Sequence, residues 1–172
     1  MAAADPGRPR APRRRRGTGA RLLAALLVLL ASPAAAQSRL SLTVLPRQGL
    51  QFGTLTAGAP TVVSPLDASR RATLELVGSG SVTVTFGLPA AMTAGSQTLP
   101  LLFGPGDGRI TFFKSGKVIE FDPGAPFTFH IPPGLGGAYL HLGGSARPGA
   151  MQPPGAYTAT ITVNVVVASS TT

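Results

Sequence analysis

From residue 40 to residue 167 the chain returns again and again to a two-residue alternation of apolar and polar side chains, cut by glycine and proline. That pattern fits half-buried strands and leaves no stretch with helical periodicity. Leu40, Leu42 and Val44 alternate with Ser41 and Thr43; Ala72, Leu74 and Leu76 with Arg71, Thr73 and Glu75; Val82, Val84 and Phe86 with Ser81, Thr83 and Thr85. Further strands are expected at 50–55, 61–64, 98–103, 110–113, 118–121, 126–131 and 138–142. The last run is the longest, with Tyr157, Ala159, Ile161, Val163, Val165 and Val167 on one face and Thr158, Thr160, Thr162 and Asn164 on the other. Roughly ten short strands with turn signals between them point to an all-β, antiparallel fold, a two-sheet sandwich rather than βαβ units.

The N-terminal segment reads differently. Seven arginines (Arg8, Arg10, Arg13, Arg14, Arg15, Arg16 and Arg21) precede the apolar run 22–31, LLAALLVLLA, and Pro33 then leads into Ala34-Ala35-Ala36. A basic start, a short apolar core and small residues at the −3 and −1 positions make a secretory signal peptide with its cut after Ala36. A membrane-spanning helix needs roughly 20 apolar residues, about twice this run. The expected organisation is a leader at 1–36 and one β-sandwich domain at 37–172, located in the periplasm or at the cell surface, with no membrane span after cleavage.

Cleavage also changes the meaning of the charge. The whole chain carries +9, but residues 37–172 hold eight bases and five acids, a net +3. With no basic stripe interleaved with aromatics, nucleic acid is not an expected partner. The chain has no cysteine, so it has neither a disulfide framework nor a thiolate nucleophile. A domain of this size buries about 65 to 70% of its unfolded surface, enough for a core without cross-links.

Candidate chemistry is sparse. His130 and His141 are the two histidines, and with Asp107 or Asp122 they match no metal-ligand spacing. Ser79 sits in Gly78-Ser79-Gly80-Ser81, which lacks the nucleophile elbow and reads as a hairpin turn. Gly104-Pro105-Gly106-Asp107-Gly108 offers one carboxylate, too few for calcium, and reads as a tight turn. Glu120 and Asp122 share a strand end beside Phe121, Pro123 and Gly124, as an exposed terminus would. Sugar-stacking aromatics are few, with no Trp and only Tyr139 and Tyr157 beside the phenylalanines. No catalytic, metal or cofactor-binding residue is expected.

Three stretches in order carry a resemblance: Leu50-Gln51-Phe52-Gly53-Thr54-Leu55; the strand, glycine turn and strand from Ala72 to Pro89; and Leu140-His141-Leu142-Gly143-Gly144 followed by Pro153-Pro154-Gly155-Ala156-Tyr157 and the last strand. Together they resemble the secreted bacterial domain-of-unknown-function 4402 family, similar in layout to spore-coat-U-like and chaperone-usher pilin subunits. The cysteines carried by spore-coat-U-like and many pilin subunits have no counterpart here. The resemblance implies an immunoglobulin-like, pilin-like sandwich and a non-enzymatic structural or adhesive role in a surface appendage. Its partners would be other subunits or further copies of the chain, and a periplasmic chaperone.

Such assembly proceeds by β-strand addition. Leu40, Leu42 and Val44 mark a candidate donor strand close to the cleavage site, while Tyr157, Ala159, Ile161, Val163 and Val165 mark the core face of the last strand. Both segments also fit the first and last strands of a self-complete sandwich. The alternative function is a monomeric periplasmic or extracellular binding module for a carbohydrate or an envelope polymer.

Overall fold

The computed structural model describes residues 42–168; the expected leader, its cleavage site and Leu40 lie outside the described residues. Twelve strands and no helix occur among them: β1 (Thr43–Gln48), β2 (Thr61–Val63), β3 (Ala72–Val77), β4 (Gly80–Gly87), β5 (Ala91–Ala94), β6 (Gln97–Leu102), β7 (Gly108–Phe112), β8 (Val118–Phe121), β9 (Phe127–Ile131), β10 (Gly137–Leu142), β11 (Gly144–Ala146) and β12 (Thr162–Ala168). They form three antiparallel sheets in a sandwich-like arrangement, where the sequence suggests two. The sheets run β1-β3-β10-β7-β8, β2-β11-β6-β5 and β12-β4-β9.

The five- and three-stranded sheets face one another across the principal core. Leu76, Ile110, Phe112, Phe121, Ala138 and Leu140 from the first meet Val82, Val84, Phe129 and Ile131 from the second. In β4, β7, β9 and β10 these residues are two apart, so the alternation seen in the sequence becomes one buried face. Phenylalanines knit the layers: Phe86 stacks on Phe121 (5.9 Å between ring centres), Phe121 on Phe127 (4.9 Å), Phe127 on Phe129 (5.7 Å), and Phe129 meets Phe112 edge-on (6.3 Å). Such pairs add to the area they bury because offset and edge-on rings set the positive edge of one against the negative face of the other.

The third sheet arises because β10 does not stop. After Leu142 the chain passes through Gly143 and re-enters pairing as β11, now between β2 and β6. A Cβ at Gly143 would overlap the Val63 carbonyl oxygen and crowd Pro65, so only glycine lets residues 63–65 cross so closely. This sheet covers a second apolar cluster of Phe52, Val63, Met92, Leu99, Leu101 and Ala146.

Two local departures from the sequence reading affect the site. Residues 50–55 form no strand: the Gln51 N–H donates to the Arg70 carbonyl (2.8 Å), Gly53 has a φ of 72°, and Phe52 turns into the second cluster. The run from Tyr157 is divided between sheets. Thr158 makes a bridge to Thr93 of β5, with reciprocal bonds of 2.8 and 3.0 Å, and pairing with β4 begins only at Thr162. A single alternating pattern serves both halves because each needs one side inward.

Candidate functional site

β1 and β12 are the outermost strands on one side of the two facing sheets, and each has one strand partner among the described residues, β3 and β4 respectively. Between them runs an open groove of about 480 Å³ with Leu74, Phe86, Leu142, Ile161 and Val163 among its lining and Arg47 at its rim. Arg47 is held there by an ion pair with Glu75. Leu74, Phe86, Ile161 and Val163 are only half-buried. Apolar side chains that a closed sandwich would seal are therefore left partly in contact with solvent.

The residues of the expected last-strand face line this side of the molecule in order. Val163 and Val165 pack against the principal core, Ile161 and the exposed Ala159 line the groove, and Tyr157 joins the second cluster. A smaller depression of about 170 Å³ shares Leu50, Ala159 and Ile161 with the groove and makes the apolar track continuous. Of the expected donor residues, Leu42 is half-buried against the principal core, and Val44, 37% exposed, pairs within the chain's own sheet opposite Leu76.

At the far end of the track lies a larger cavity of about 750 Å³, within the size range of small-molecule sites. Residues 50–55 form one wall and residues 152–157 another, which brings together two of the stretches that carry the family resemblance. None of its lining side chains is charged. The second wall is locked by hydrogen bonds. Gln152 Nε2 donates to the Thr98 carbonyl (3.1 Å) and to Tyr157 Oη (2.6 Å), and Tyr157 Oη donates to the Pro153 carbonyl (2.8 Å). Replacing Tyr157 by Phe removes both hydroxyl bonds and leaves the ring, so a loss of about 1 kcal/mol is expected in urea denaturation.

The histidines do not come together. His130, on β9, is exposed with Nδ1 3.3 Å from Ser81 Oγ; His141, on β10 of the other facing sheet, is 4% exposed with Nδ1 3.2 Å from Thr73 Oγ1. Burial and then the positive charges of Arg71 and Arg109 push His141 down to about 4 from the ordinary 6.5. Asp107 and Asp122 accept from the backbone N–H groups of Gly104 and Gly124, each at 2.8 Å, and so stiffen their own turns. Hydrogen bonds from Ser69 and then Arg70 hold the Asp67 carboxyl down at about 2. Glu120 is exposed and faces Arg109 at 3.8 Å. No group of three or more His, Cys, Asp or Glu side chains suited to a metal occurs among the described residues.

Sequence reasoning did not find the groove or the cavity, since each joins segments about a hundred residues apart. The alternation did single out the face that lines them. No protein-family model, no curated protein and no solved structure matches the chain.

Proposed function

We propose that the chain is an exported, non-enzymatic surface subunit with a pilin-like, immunoglobulin-like sandwich that assembles by β-strand addition. The observation that carries this reading is the open groove between β1 and β12, apolar inside and bordered by two edge strands. An extended segment laid there would complete a ladder with its main chain and place every second side chain against Leu74, Phe86 and Ile161. The donor is the N-terminal segment of a neighbouring copy, with Leu40, Leu42 and Val44 on one face. Because Thr43–Gln48 already pairs with β3, donation vacates the β1 side of the groove and the incoming strand takes that place beside β3, so assembly exchanges a pairing within the chain for one between chains, as in domain swapping.

Light scattering on the chain exported to a periplasm tests this. Polymers are expected for the chain beginning at Gln37, and monomers for the chain lacking 37–45. Ala159→Arg, at an exposed position in the groove, is expected to block polymers while leaving the melting temperature within about 2 °C, as surface substitutions do. Polymers that survive Ala159→Arg would overturn the groove as acceptor.

The uncharged 750 Å³ cavity favours a second reading, a monomeric module that binds a neutral ligand such as a saccharide. A stable monomer that retains a neutral oligosaccharide in equilibrium dialysis, and loses it on Tyr157→Ala, would favour that reading over assembly.

A further inference from the structure

We propose that Arg71, Arg109 and His141 form a binding site for a small oxyanion, a phosphate or a carboxylate, on the outer face of the five-stranded sheet. This site is separate from the groove and the cavity and does not rest on either function proposed for them.

Strand register builds it. Thr73, His141, Arg109 and Glu120 lie side by side across β3, β10, β7 and β8. They point away from the core because Leu140, the neighbour of His141, points into it. Arg71 lies two residues before Thr73 and so shares that face. Residues 63–65 cross the sheet at Gly143, and the Arg71 Nη1 donates to the Pro65 carbonyl at 2.9 Å. That crossing, with Tyr139 stacked on the imidazole at 6.0 Å, explains why a side chain on an outer face is almost fully covered.

The cluster has more donors than acceptors. Arg71 Nε is the one fully buried side-chain polar atom without a hydrogen-bond partner among the described residues. His141 places Nδ1 against Thr73 Oγ1, 3.2 Å away. Arg109 is mostly covered, yet its carboxylate neighbour Glu120 is 3.8 Å away with its side chain 67% exposed, too far for a hydrogen bond. The other nearby carboxylates are engaged: Asp67 with Ser69 and Arg70, and Asp107 with the Gly104 N–H. A buried, unpartnered donor such as Arg71 Nε marks a place where a water or an ion belongs. Two guanidinium groups around one covered imidazole suit a planar or tetrahedral oxyanion, which accepts from both forks at once.

Binding would also reverse the field at His141. Arg71 and Arg109 oppose its protonation, and an anion between them favours it, so anion uptake and proton uptake are linked. A tenfold tighter grip on the protonated form raises the midpoint of His141 by one pH unit.

The test follows the two imidazole Cε1–H signals by NMR from pH 7.5 to 3.5 in sodium chloride, sodium phosphate and sodium acetate at equal ionic strength. The exposed His130 serves as the internal control. The expected result is a saturable rise of one unit or more in the His141 midpoint in phosphate, acetate or both, with His130 unchanged; the arm that responds identifies the anion. Arg109→Gln is expected to abolish the rise. Arg71→Lys keeps the charge but lacks the guanidinium Nε, and is expected to weaken it at least fivefold. Equal His141 midpoints in all three salts, or equal movement of both histidines, would overturn the proposal on the unaltered protein alone.

Discussion

Gly137→Ala should destabilise the protein by about 3 to 4 kcal/mol, lowering its melting temperature by about 10 to 15 °C. Gly137 opens β10, is buried, pairs opposite Val77, and has a φ of 154°. An added Cβ would overlap the Leu76 carbonyl oxygen and stand 2.7 Å from the Phe113 ring. The ring can shift, but the carbonyl belongs to β3 and cannot move without disturbing the ladder. Backbone strain and steric overlap therefore act together at the centre of the larger sheet. Gly134 is the matched control: its φ is 89° but nothing lies within 4 Å of its would-be Cβ. Gly134→Ala should cost only about 1 kcal/mol, the conformational part alone. Similar losses at the two positions in thermal and urea melts would show that the close approach at Gly137 does not matter.

The second large effect is acid destabilisation through His141. The ordinary imidazole value is 6.5, and in the folded chain it is pushed down to about 4. Between those values the unfolded chain holds the proton that the folded one refuses, so stability falls as pH drops from about 6.5 to about 4 and levels off below. The loss reaches up to about 3 kcal/mol. The groups around the ring are Thr73 on β3, Arg71 just before it, Arg109 on β7, Tyr139 stacked on the imidazole from β10 itself and, at the end of the row, Glu120 on β8. The carboxyl of Asp67, held down at about 2, titrates below this window. His141→Gln keeps a hydrogen-bonding group near Thr73 and cannot titrate, so its urea-denaturation stability should fall far less between pH 6.5 and 4 than that of the unaltered chain. The measurement belongs in chloride, because the oxyanion proposed above would lessen the effect.

Strict alternation made much of this fold legible. β8 lies at 118–121, where the sequence places it, and β4 and β10 bury Val82, Val84, Ala138 and Leu140 as a period of two requires. The pattern failed at two short strands. β5, with the sequence AMTA, and β11, with GSA, are short and are held by their neighbours rather than by their own propensity. It also failed at 50–55, where Leu50 and Phe52 alternate like a strand but serve a loop that feeds the second cluster. Alternation specifies which side faces inward, not which sheet supplies the partner, so the bridge at Thr158 could not be separated from the strand at Thr162. The surroundings of His141 were hidden for the same reason: Thr73, Arg71 and Arg109 reach it through register, which no local stretch encodes.

The position of β10 in the larger sheet has a kinetic consequence. It separates β3 from β7 in space but follows both in the chain, so the middle of that sheet cannot close until residues 137–142 are present. The facing sheet needs residues still later, since β12 completes its edge beside β4. Apart from the β5–β6 and β7–β8 hairpins, pairing therefore waits on long loop closures, which places folding in the slow range of about milliseconds to seconds typical of non-local β topologies. A chain that emerges N-terminus first would remain open, its hydrophobic strands unpaired, for most of its passage. That delay is a period in which a holding partner has an extended substrate to engage.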